Sequence, residues 1–131
     1  MRSQDADVLT GITEARGGFG HREHLELAWS YLQMYDVPEA SEAMAAAIRH
    51  LARQHGAEQK YHETMTRAWV RLVAVHHQRW GAQHFDAFLE RNPDLLDRAL
   101  IRHFYSSDLL DGDRARAAWT DPDLRELPAL A

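Results

Sequence analysis

The stretch "FGHREHLELAWSYLQMY", Phe19 to Tyr35, decides the fold class. Its positions 21, 24, 25, 28, 31, 32 and 35 hold His, His, Leu, Ala, Tyr, Leu and Tyr, the spacing of a helix with one inward face. That stripe places His21 and His24 in the first turn, both on the inward side. Downstream, Asp36 followed by Val37-Pro38 is a helix-start signal, because a first-turn proline loses no hydrogen bond. The second helix carries Ala40, Met44, Ala47, Ile48, Leu51 and His55, and Gly56 stands where a left-handed residue would end it. A third runs from about Glu58 to His77, with His62, Met65, Thr66, Trp69, Val73 and His76 on one seam.

After Trp80-Gly81 come a short apolar segment with Phe85, Phe88 and Leu89, and a helix from Asp94 to about Tyr105. A last short helix is read at Arg114 to Trp119, and "TDPDLRELPALA" reads as an extended surface tail. Residues 1–18 end in "ARGGFG" and lack sustained periodicity, so they are expected to form a flexible arm with at most one helical turn. No stretch alternates as a strand does, and no internal repeat is visible. The expectation is an all-α chain: a small antiparallel bundle of about five helices in one domain over 19–131, with the arm at 1–18.

Composition narrows the function classes. The 131 residues are 45% hydrophobic and 27% charged, as in an ordinary globular domain. A formal charge of -5 supplies no general basic field, so nucleic acid is not an expected partner. With no cysteine, any metal must sit on nitrogen and oxygen. No apolar run reaches membrane-spanning length, and residues 1–10 carry aspartates where a secretory signal needs a basic start; the expectation is a cytoplasmic protein without a membrane partner. Nine histidines in so short a chain are the compositional outlier.

Short connections make neighbouring helices antiparallel, so the first and third helices begin at the same end. His21, His24 and His62 would then converge at one depth. His76 lies fourteen residues beyond His62, roughly 21 Å along the axis at 1.5 Å per residue, and belongs to the far end. His55, Asp97 and His103 are open as further members, whereas His50, His77 and His84 read as off the stripe or solvated. The positive end of a helix dipole favours neutral imidazole, the form that binds a metal. Three such rings suit one divalent ion, zinc or iron first and copper or nickel next, with an open position to activate water or oxygen. Glu63, which flanks the seam as a proton acceptor or support for a ligand, and Tyr61, beside it near the pocket, are the candidate catalytic residues. "HETMT" at 62–66 lacks the second histidine of the zinc-protease motif, and there is no Glu-x-x-His pair for a di-iron centre.

Three blocks carry a resemblance. Phe19, His21, His24, Ala28 and Trp29 match Phe-x-His-x-x-His-x-x-x-Ala-Trp; Tyr61, His62, Thr64 and Thr66 match Tyr-His-x-Thr-x-Thr; Pro122 to Pro128 match Pro-Asp-Leu-x-x-Leu-Pro. The chain thus resembles a group of small uncharacterised bacterial all-α proteins over about 19–128. The resemblance implies a shared helical fold and a shared emphasis on His21, His24 and His62, and no activity. Two functions are therefore set side by side: a mononuclear metal enzyme acting on a small-molecule substrate, and a non-catalytic helical binding or regulatory module with structural histidines. Metal storage or sensing would share the first site without a substrate pocket. Self-association through the alanine-rich face at 43–47 or through exposed tryptophans is left open.

Overall fold

A computed structural model describes all 131 residues, and the chain is all-helical with no strand. Seven α-helices follow in order: α1 (Ser3–Arg16), α2 (His21–Met34), α3 (Val37–Gln54), α4 (Glu63–Trp80), α5 (Phe85–Arg91), α6 (Ser107–Asp111) and α7 (Asp113–Ala117). No helix is long and apolar enough to cross a membrane. The helices α2, α3 and α4 pack on one another, and α1 lies against α2 and α3. Their shared core is Leu25, Leu27, Ala28 and Tyr31 of α2, Met44 and Ala47 of α3, and Val70, Leu72 and Val73 of α4. Phe88, Leu95, Ile101 and Tyr105 close it from the second half of the chain. Ala43, Ala45 and Ala47 are buried inside this packing. The alanine-rich face therefore serves intramolecular contact, where small side chains let helices approach closely.

Local chemistry explains the boundaries. Asp36 accepts from the Glu39 N–H and caps α3, with Pro38 in the first turn. Past its end, Gly56 has φ 64°, a left-handed turn that glycine adopts without Cβ strain. Glu23 accepts from the Gly20 N–H at 2.9 Å, half of a capping box that fixes the start of α2.

Three sequence expectations are corrected. Residues 3–16 are a docked helix and not a flexible arm: Asp5, Leu9 and Ile12 are buried, and the buried Tyr31 hydroxyl donates to the Asp5 carbonyl at 2.8 Å. The Tyr35 hydroxyl donates to Asp5 Oδ1 at 2.6 Å. These anchors come from residues about thirty positions away, so local periodicity in 1–18 does not reveal them. The third helix starts at Glu63 and not at Glu58, because His62 adopts extended backbone and caps it; only a 3-10 turn covers Glu58–Lys60. The expected helix from Asp94 to Tyr105 is two 3-10 segments, Pro93–Leu96 and Arg98–His103. Between them Asp97 is extended and its carboxylate accepts from the Ala99 N–H, which ends one segment and starts the next.

Beyond Ala117 the chain has no further helix and is held by side-chain bonds. Thr64 Oγ1 donates to the Ala118 carbonyl, the Tyr105 hydroxyl to the Thr120 carbonyl, and Arg71 to the Pro128 carbonyl. The polar residues of α4 thus serve both its own start and the C-terminal segment.

Candidate functional site

The first turns of α2 and α4 face one cavity of about 410 Å³, within the range of small-molecule sites. His21, His24 and His62 all line it. Phe19, Leu25, Met65, Trp69 and Val73 supply apolar wall, while Lys60, Tyr61, Thr66 and Arg98 supply polar groups. No carboxylate is among the lining residues. The convergence read from the sequence is therefore present as a shared hollow.

The three rings nevertheless have different surroundings. His62 Nδ1 accepts from the Met65 N–H at 3.0 Å as the cap of α4. Its Nε2 lies 2.8 Å from the Leu110 carbonyl, which only accepts, so Nε2–H donates. Both nitrogens of His62 are engaged. His21 Nε2–H likewise donates to the Leu95 carbonyl at 2.8 Å, and its ring meets Trp69 edge-on with centroids 4.7 Å apart. Each of these two histidines ties a helix start to the second half of the chain.

His24 differs. Its ring packs on Phe19 at 5.4 Å between centroids, and neither nitrogen has a partner in the protein or is sealed away from the cavity. Burial, with a smaller contribution from neighbouring His21, pushes its imidazole down to about 4. At neutral pH it is an uncharged ring with one donor and one acceptor.

No three His, Asp or Glu side chains are placed to hold a metal ion. The donor set explains why a trihistidine centre does not fit: a metal at His62 would have to break the cap of α4 or the Leu110 bond. His55 is the exposed C-cap of α3, Asp97 is occupied with Ala99, and His103 is exposed. None of them completes a ligand set with the three rings.

Glu63 stands outside the cavity lining. It accepts from the Tyr61 hydroxyl at 2.6 Å and from Arg67 Nε at 3.0 Å, with Arg49 Nη2 at 3.4 Å. Burial alone would raise its pKa, but the bonds from Tyr61 and Arg67 and the charges of Arg67 and Arg49 hold it below the ordinary value. Burial, then the bond to Glu63 and its charge, push the Tyr61 phenol up to about 12. Glu63 is thus an ion-paired carboxylate that fixes Tyr61, and Tyr61 remains a protonated phenol at the cavity wall.

The chain matches no family model, no curated protein and no solved structure. The site therefore rests on its own geometry. Lys60 and Arg98 are the lining residues that sequence reasoning missed. One signal existed for the first, since Lys60 is the sole lysine among 15 basic residues. Arg98 gave none, because the segment carrying it was read as a regular helix.

Proposed function

We propose that this protein is a small-molecule-binding module whose ligand occupies the cavity between the starts of α2 and α4 and bonds to His24. We read α1–α4 as the small antiparallel bundle that presents the cavity. The single observation behind the proposal is the contrast among the three imidazoles: His21 and His62 are engaged with the protein, whereas His24 is neutral, unpartnered and open to the hollow. A polar ring kept without a partner among apolar walls is the arrangement by which a binding site fixes ligand orientation.

Binding is favoured over catalysis by the protonation states. His24 titrates near 4 and Tyr61 near 12, and Glu63 is held low by its cations, so none of these three exchanges protons readily near neutrality. The ligand expected is a compact molecule with an aromatic or aliphatic body for Phe19, Met65 and Trp69 and one hydroxyl or carbonyl for His24.

Calorimetric titration with 2-naphthol tests this, with ¹⁵N imidazole NMR following His24. Saturable one-to-one binding that perturbs the His24 nitrogens is expected, and His24→Leu should weaken it by roughly twofold to tenfold, the worth of one neutral hydrogen bond. Absence of binding, or binding indifferent to His24→Leu, refutes the proposal.

A further inference from the structure

A second cavity of about 520 Å³ adjoins the first and shares Lys60, His62, Met65 and Arg98 with it. Its lining adds Arg102 and Arg116, against one acidic residue, Asp111. None of the four cations forms an ion pair, so the cluster rests on their meeting around one hollow. Arg102 Nη1 donates to the Ser107 hydroxyl at 2.7 Å, and Arg116 Nη1 reaches the Lys60 carbonyl at 3.5 Å. Both contacts are with neutral acceptors.

This local balance runs against the whole chain, which has 20 acidic residues and 15 basic ones. Four like charges around one hollow repel one another, and a bound anion removes that repulsion. Guanidinium forks match phosphate oxygens in pairs, and three arginines with a lysine facing one carboxylate suit a dianion better than a monoanion. The three arginines come from two separate segments, Arg98 and Arg102 from the 3-10 turn at Arg98–His103 and Arg116 from α7. The lysine follows α3, in the 3-10 turn before His62.

We infer that the two cavities form one bipartite site for a small phosphomonoester: its apolar body lies in the His24 cavity and its phosphate among Lys60, Arg98, Arg102 and Arg116. The inference rests on the binding function proposed above and names its ligand class. Lys60 and Arg98, common to both hollows, mark the junction between body and phosphate.

Calorimetry at pH 7.5 with 2-naphthyl phosphate, 2-naphthol and inorganic phosphate tests it on the full chain. The phosphate ester should bind at least about tenfold tighter than either fragment, and its affinity should fall with added salt while that of 2-naphthol does not. The double variant Arg102→Gln/Arg116→Gln, altered only in the second cavity, should lose most of that gain and keep 2-naphthol binding. If the ester binds no tighter than 2-naphthol, or if its advantage ignores both salt and the double variant, the phosphate site is wrong while the His24 cavity stands. If neither aromatic probe binds, the His24 reading fails and the bipartite site fails with it.

Discussion

The two ends of α4 carry similar residues in different settings. At its start, His62 is engaged on both nitrogens and the neighbouring His24 of α2 has none engaged, with a cavity in front of it. Toward its end, His76 is also engaged on both sides: Nδ1 lies 2.7 Å from the Leu72 carbonyl and Nε2 lies 2.8 Å from Asp94 Oδ2. Its neighbour His77 has a buried Nδ1 without a partner, and its ring sits edge-on to Phe88. Gly81 closes that end tightly, since a Cβ there would stand 2.6 Å from the His77 carbonyl. An unpartnered imidazole is thus a fixed cost at the packed end and, under the proposed function, a binding group at the open end. What surrounds the ring, and not the ring itself, separates the two.

Acid titration gives the largest expected contrast. The folded chain keeps His24 neutral down to about 4, while the unfolded chain binds a proton below about 6.5. The stability from neutral His24 is therefore complete above 6.5 and declines as pH falls from 6.5 to 4. Its upper bound is about 3 kcal/mol. Urea unfolding across that range should show the decline in the parent and lose it in His24→Gln; an unchanged slope would break the contrast.

The next effect concerns the caps. His62→Ala removes the α4 cap and strands the Leu110 carbonyl, so a loss of about 2 kcal/mol is expected in urea unfolding. His62→Asn, which still caps, should recover about half of it. A metal-ligand role for His62 would instead show as loss of bound metal, and a chelator is expected to leave the unfolding midpoint of the parent unmoved.

At the packed end, Gly81→Ala should cost between about 1 and 2 kcal/mol by overpacking against the His77 carbonyl. The smallest effect sharpens the comparison most. His77→Leu is expected to change stability by less than about 1 kcal/mol and to leave 2-naphthol binding intact, because it removes a polar atom that has no partner. The same substitution at His24 should weaken the ligand. Equal binding by the two leucine variants would mean that the ends of α4 are not functionally distinct.

Much of this was legible in the chain. The periodicity of 19–35 placed His21 and His24 at a helix start, Asp36 and Gly56 marked the limits of α3, and His76 was assigned to the far end by helical rise alone. The docking of α1 was not legible, since its anchors Tyr31 and Tyr35 lie in another helix. Nor was the break at Asp97, where one carboxylate bond to the Ala99 N–H outcompetes helix continuation. His77 read as solvated, yet its Nδ1 is buried against the packed end. The meeting of Lys60 with Arg98, Arg102 and Arg116 depends on two 3-10 turns and a short helix that no periodic pattern announces.

The amino-acid order by itself determined α2, α3 and most of α4 and the faces they bury, because apolar spacing and capping act over a single turn. Tertiary packing alone decided which histidine stays unpartnered. The carbonyls that engage His21 and His62 belong to Leu95 and Leu110, 74 and 48 residues away, and a hydrogen bond of that span exists only once the chain has folded.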